Sequence, residues 1–555
     1  MGSTKFITYS NNLCWATIPV VCLFSFFINN QVIPADIMEA RNLATAQEMV
    51  EYGNYLLPTL NGEPRLEKPP LPTWIAAGIE HLTPSNLVAQ RYAAALSATL
   101  MTLFLFLLVK RLTRNRVAGL VASLVMATSM NVILMGRTAT WDIYTHSFML
   151  GAIYFMVVAL EEKGAQWKFF LLSGLFTGLS FLSKGPVSWY ALLFSFLIAY
   201  FVVYRTDITG KKWAIAGMVL VALAVSFWWY GYTYLFHQDF AVEVTRKETS
   251  LWLNYNVRPW YYYWQFAAEG GIWASFLLTA LAYFFINRQT VYQKEYRFSF
   301  IWFVASLVLL SIIPEKKMRY LLPVMIPGAM VIGFYMFQMI VAIKTKTEKT
   351  LFRLNTTIIP VILLALPVIL YVKFYRANQV SLFLFIIATL CSWGLCAFIV
   401  HSLFGRKGIQ PASAFTGIVL TMMMVAAIYL IPIGSMFINE ERHSIRLLRE
   451  NSDVAELPVY YNDREELRPE LVYESNRRIL KLNTDDAAAI DKALPFVLIS
   501  SEPIEQLLAG KNVSIEHIDT FDNNWNKKGS KRHNPNLVKE AAIINYELRI
   551  TNDGE

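Results

Sequence analysis

Apolar residues gather along this chain in windows of about 18 to 24, the length a helix needs to cross roughly 30 Å of hydrocarbon, and not in the short alternating segments of a membrane barrel. The windows lie near 13–33, 89–109, 117–135, 140–160, 167–183, 187–204, 213–236, 270–286, 298–314, 321–343, 355–373, 380–402 and 412–437. They predict an all-α polytopic membrane protein of thirteen spans over residues 1–439, with a first long polar loop at 34–88 and a second at 237–269. From about residue 440 the pattern changes. Short β-like runs, Leu457–Tyr461 and Pro495–Ser500, alternate with helix-like stretches, and 440–555 reads as a small soluble α/β domain. No internal repeat of the kind that pairs the halves of many transporters is visible.

Composition agrees with the pattern and removes some classes. Among 555 residues 55% are hydrophobic and 16% charged, and the mean hydropathy is +0.40, too apolar for a soluble globular chain. The net charge of +9 does not indicate nucleic acid, because it is unevenly placed: 16 basic face 22 acidic residues from Glu440 onward, leaving 33 against 18 for the membrane part. With the N-terminus in the cytoplasm, every inside loop is basic: Lys110, Arg111, Arg114 and Arg116, then Lys163 and Lys168, Arg205, Lys211 and Lys212, Arg288, Lys294 and Arg297, Lys344, Lys346, Lys349 and Arg353, Arg406 and Lys407. An odd number of spans then places the tail on the extracytoplasmic face. The first span has no small-residue cleavage site behind it and reads as a retained signal anchor. Cys14, Cys22, Cys391 and Cys396 all fall in apolar windows and read as packing residues.

The outer face carries charge that topology does not require. In the first loop, apolar positions from Met38 to Val50 recur at helical spacing and predict an amphipathic helix along the interface, with Asp36 and Glu39 at its start. These acids read either as caps of the helix N-terminus or as a site. Asp142 stands at the outer mouth of an apolar span, where an acid costs free energy, and its alternatives are a functional role or a bridge to Arg137. Glu67 and Lys68 are held rigidly by the two prolines that follow. Lys68 and Lys184 otherwise read as snorkelling lysines. Lys316, Lys317 and Arg319 cluster on the face where cations are disfavoured, which calls for an anion. Carboxylates that accept a proton beside cations that hold a phosphate are what glycosyl transfer from a lipid-linked sugar phosphate requires.

At these residues the chain resembles the GT-C glycosyltransferases of the protein O-mannosyltransferase and aminoarabinose (lipid A) transferase superfamily, and most closely the bacterial aminoarabinose-transferase-like branch. Four stretches carry the resemblance in matching order: the first-loop helix with Asn61-Gly62 and Glu67–Leu71, Arg137 to Asp142, Arg258 to Tyr263, and Lys316 to Pro323. The resemblance implies an inverting transferase that moves a sugar from a polyprenyl-phosphate donor to a hydroxyl or phosphate acceptor, a glycolipid, glycan or protein, at the outer face of a bacterial inner membrane. It also implies a first-loop acid and a second acid near the start of the fourth span. Asp142 fits the second. Where the family usually shows Asp-Glu-x-Arg-Tyr, this chain has Met38-Glu39-Ala40-Arg41-Asn42, so the first-loop acid is Glu39 or, upstream, Asp36. Lys68, Lys316 and Arg319, with Arg41, Arg137, Lys184 and Tyr320, are the expected phosphate ligands. Relatives carry a Glu-His pair in the second loop that bears on a divalent metal; here Glu248 is followed by Thr249, which leaves Glu67, Glu248 and His237 as metal candidates and no cofactor as certain. A transporter or flippase of an anionic lipid-linked sugar is the alternative from another class, and a membrane-anchored binding protein acting through its tail is a third.

Overall fold

A computed structural model describes residues 11–287, 289–452 and 454–546, so Arg288 lies outside the described residues; the side chains of 11–14, Cys14 among them, and of 251–253 are likewise not described. All thirteen apolar windows are helical. Among the described residues nine helices are long and apolar enough to cross a membrane, or eleven if two bent pairs each count as a span. The expected count of thirteen is not reached for a physical reason: Trp189–Tyr204 is short, and Trp167–Lys184 has a lysine near each end.

Contacts divide the chain into two compact units, 1–31 with 66–72 and 88–432, and 32–65 with 73–87 and 433–555. The first loop, which the pattern had grouped with the membrane part, is thus shared between the two.

In the first unit the helix Met318–Ala342 is the hub, with 89% of its most apolar window buried inside protein. Small residues set its approach: a Cβ on Gly333 would lie 2.7 Å from Ala122 on the neighbouring helix. Gly174 and Gly178 do the same for Trp167–Lys184 against Lys212–Phe236, where added Cβ atoms would meet Met218 O at 2.4 Å and Val225 Cβ at 2.5 Å. Two spans are broken: Arg116–Ala127 turns by 69° into Met130–Gly136, and Trp260–Glu269 by 99° into Gly271–Ile286. Their breaks interlock, for Asn131 donates to Glu269 at 2.7 Å and the Trp273 indole donates to Thr128 at 2.9 Å.

The second unit is built on a five-stranded mixed sheet in the order Ile479–Leu482, Val459–Asn462, Phe496–Ser500, Val538–Tyr546, Val513–Asp522. The first three strands are parallel, so helical crossovers, Pro469–Ser475 and Ala487–Ala493, connect them; the last two are antiparallel. Alternation along Phe496–Ser500 sends Val497 and Ile499 to one core and Phe496 and Leu498 to another, so this strand is buried on both faces. The first-loop helix Ile37–Tyr52 belongs to the same unit, and Ala44 joins the core of Val497 and Ile499. It is buried almost continuously from Glu39 to Met49, so it is an interior helix and not the interfacial amphipath its spacing suggested.

Lys539, 1% exposed, is paired with Glu465, which also accepts from the Ser500 hydroxyl at 2.6 Å and the Ser501 amide. Burial alone would push the Glu465 carboxyl up, but Lys539 and these donors outweigh it and hold the group below the ordinary glutamate range. A depressed native value means that this stabilisation is complete above about pH 4.3 and is lost as pH falls through the native value. Hydrogen-exchange protection in the full-length protein, taken relative to the intrinsic rate at each pH, should therefore fall in Phe496–Ser500 and Val538–Tyr546 on acidification below about pH 4. Glu465→Gln should show the lower protection already at neutral pH; a variant exchanging like wild type at both pH values would refute the assignment.

Candidate functional site

The hairpin of Trp141–Glu161 and Trp167–Lys184 runs antiparallel through the first unit, so the first turn of one helix meets the last turn of the other. Asp142 lies in that first turn, where the helix dipole favours an anion, and Lys184 is the last residue of its helix, where a cation is favoured. Gly185, at φ 82°, ends the Lys184 helix in a conformation open to glycine. The seam is zipped by Ser180, which donates to Thr145 O at 2.6 Å, and by Ser173, which donates to Ala152 O at 2.9 Å. At its mouth the Lys184 ammonium donates to the Asp142 carboxylate, both side chains being at most 7% exposed. Asp142 is therefore bridged to Lys184 and not to Arg137, and Lys184 is not a snorkelling lysine.

Other cations gather around this pair. The Lys184 ammonium lies 4.7 Å from the centre of the Tyr320 ring, whose other neighbours are Arg319 at 5.8 Å and Lys317 at 5.7 Å. Arg319 and Lys68 are both in electrostatic range of Lys184. The Tyr320 hydroxyl donates to Glu315 at 3.2 Å, and Glu315 also pairs with Lys317 at 2.7 Å, so part of the outer charge is already answered within the chain.

Lys68 donates to Glu248 at 3.0 Å, and Lys247 stands 3.9 Å from Glu67, which ties the proline-stiffened pair to the helix Gln238–Asn254. Those two carboxylates are engaged by lysines. Among the described residues no three His, Cys, Asp or Glu side chains are grouped as metal ligands would be.

Two expected phosphate ligands are committed to backbone. Arg137 is fully buried and gives its guanidinium to Ser25 O at 2.7 Å, Ile28 O at 2.8 Å and Phe24 O at 2.9 Å, carbonyls left open where the first span relaxes into a π-helical turn. Arg91, unremarked in the sequence, donates to the next of them, Asn30 O, at 2.7 Å. Lys316 donates to Ile313 O at 2.6 Å and Arg258 O at 3.1 Å, closing the end of Gln293–Ile312. Its neighbour Asn256 donates to Lys316 O at 3.0 Å, so the second loop is strapped to the cationic stretch.

In the second unit the two first-loop acids have different surroundings. Asp36 is exposed and caps Ile37–Tyr52, accepting from Glu39 N at 2.8 Å and Met38 N at 3.0 Å. Glu39 is fully buried. Arg41 is half-buried one turn along, and Asn42, in place of the family's tyrosine, accepts from the Thr73 hydroxyl at 2.8 Å. Glu48 anchors the helix by accepting from Thr59 at 2.6 Å, from Gly62 N and from Arg478 at 3.3 Å. Asn61 pairs with both backbone groups of Ile479 at 2.7 Å, as one more strand residue would.

Against this geometry, comparisons with known proteins are informative. Residues 67–230, which include Lys68, Asp142 and Lys184, match the family described as dolichyl-phosphate-mannose-protein mannosyltransferase. The chain has the fold of ArnT from Cupriavidus metallidurans, solved bound to undecaprenyl phosphate, with a TM-score of 0.67 over 96% of this chain and 97% of that one at 18% identity. In sequence and in fold the chain is thus similar to glycosyltransferases that use a polyprenyl-phosphate-linked sugar. An undecaprenyl phosphate-alpha-4-amino-4-deoxy-L-arabinose arabinosyl transferase of Proteus mirabilis is 24% identical across 73% of this chain and 75% of its own length. An uncharacterised Aquifex aeolicus protein is 26% identical over 50% of this chain, and the match spans about half, 55%, of that relative.

The two structural assignments can be checked by unfolding. Arg137→Met strands several buried carbonyls and should cost about 2–4 kcal/mol, seen as a lower thermal midpoint of the purified protein in detergent. Asp36→Ala removes one cap and should cost only about 1 kcal/mol, with transfer activity retained. An Asp36→Ala protein that is stable yet inactive would restore Asp36 as the first-loop acid.

Proposed function

We propose that this multi-pass membrane protein is a glycosyltransferase that takes a sugar from a polyprenyl-phosphate donor and passes it, with inversion, to a hydroxyl or phosphate oxygen of a glycolipid, glycan or protein. The observation that carries this reading is the buried Asp142–Lys184 pair with Arg319 and Lys68 in electrostatic range. Ionisable groups are expensive there unless they serve an anion. An undecaprenyl phosphate-linked aminoarabinose donor is suggested by the Proteus mirabilis relative, and a lipid A-type acceptor by the resemblance in sequence. The positive-inside pattern supports a cytoplasmic N-terminus and a periplasmic tail.

In this mechanism the donor phosphate binds against Lys184, Arg319 and Lys68. Lys184 turns from Asp142 to the phosphate, which neutralises the leaving group as the bond from sugar carbon to phosphate oxygen breaks and its electron pair stays on that oxygen. The acceptor oxygen bonds to the same carbon from the opposite face. Asp142, released from Lys184, takes the acceptor's proton where there is one. Of the two first-loop acids Asp36 serves the helix as its cap, which supports Glu39 as the first-loop acid that the resemblance implies.

The transporter alternative draws on one observation, the two broken spans whose breaks meet at Asn131 and Glu269. One experiment separates the readings. Lipid A, other envelope glycans and envelope proteins of the native host are compared by mass spectrometry after loss of the gene and complementation. Wild type should restore one sugar on one acceptor. Asp142→Asn should lower transfer by about 10²- to 10⁴-fold while inserting normally. In a purified assay Lys184→Met should lose donor binding. Full activity in Asp142→Asn would remove Asp142 from the chemistry; intact glycans with donor lipid stranded on one leaflet would favour the flippase.

A further inference from the structure

His146 is fully buried in the helix Trp141–Glu161, one turn beyond Asp142, and neither of its ring nitrogens has a hydrogen-bond partner among the described residues. Buried polar groups are nearly always satisfied, and an orphan imidazole inside a bilayer span calls for a role. Side chains four apart share a helix face, and the later one leans back toward the N-terminus, so the imidazole is directed at the turn that carries Asp142. Asp142 interacts electrostatically with Lys184, with Arg319, which the donor phosphate also engages in the mechanism above, and with His146; among the described residues Lys184 holds it by a side-chain hydrogen bond.

The difficulty that His146 answers arises during binding. If a lipid phosphate draws Lys184 away, Asp142, 2% exposed, becomes a buried carboxylate without a donor, which is costly. Resting on the functional reading above, we propose that His146 takes over Asp142 when the donor phosphate captures Lys184. A neutral imidazole has one N–H to give, so the exchange replaces an ion pair with a neutral hydrogen bond. The carboxylate then stays ionised and oriented, and is a better proton acceptor than one held by an ammonium. His146 is a positioning residue, acting through Asp142.

The test uses the full-length protein in nanodiscs, with undecaprenyl phosphate as probe and undecaprenol as the phosphate-free control. His146→Phe, which cannot donate, should bind the phosphate about tenfold more weakly, the scale of one charged group left unsatisfied. His146→Asn and His146→Gln should recover most of the loss, and unliganded thermal midpoints should match wild type. Wild-type affinity in His146→Phe, or equal weakening in Phe, Asn and Gln variants with lowered unliganded midpoints, would overturn the exchange while leaving the phosphate site standing. A wild-type protein that binds undecaprenol as tightly as undecaprenyl phosphate would overturn the phosphate site itself.

Discussion

A charge held away from water has to be answered close by, and in a bilayer span only another charge or a set of backbone dipoles can do so. The membrane unit uses both answers. Arg137, Arg91 and Lys316 are met by carbonyls at helix ends, where the chain has acceptors to spare. Asp142 and Lys184 are met by each other. The first kind of answer is finished, since a guanidinium spread over three carbonyls has little left to offer a ligand. The second is exchangeable, because an ammonium can leave one anion for a stronger one.

That difference sorts the cations more sharply than their order along the chain. Arg137 and Lys184 look alike in sequence, each beside a turn at the outer end of an apolar window. A π-helical turn near the end of the first span gives Arg137 carbonyls to cap. An antiparallel hairpin with serine and threonine along its seam gives Lys184 a carboxylate. Glycines at 174 and 178 hold that hairpin close to the next span, so the position of the ammonium depends on contacts more than one turn away.

The tail unit meets the same constraint with ordinary soluble-protein means. Its sheet is closed into two cores by alternation along Phe496–Ser500, and its buried lysine is paired with Glu465. Within this unit the first-loop helix is a structural partner of the sheet, tied by Glu48, Asn61 and Arg478. Asn61-Gly62, part of a stretch that carries the resemblance, thus extends the edge of the sheet.

Periodicity alone determined the helical windows, the change of class near residue 440, and the placing of the unusual charges at the ends of apolar windows, because burial in hydrocarbon acts on each residue by its own hydrophobicity. Single positions such as Asp142 stood out for the same reason: an acid in an apolar run is conspicuous without any knowledge of its neighbours. Tertiary structure decided the pairings. Nothing in the spacing of 142 and 184 tells that they meet, since that follows from the hairpin. The choice between Asp36 and Glu39 needed the start of the helix to within one residue. His146 carried a signal, a titratable group one turn from Asp142, but a histidine in an apolar span becomes informative only when its surroundings offer it no partner. The burial of Ile37–Tyr52 was hidden for a related reason: its spacing describes one apolar face, whereas polar positions such as Glu39, Asn42, Gln47 and Glu48 are buried as well.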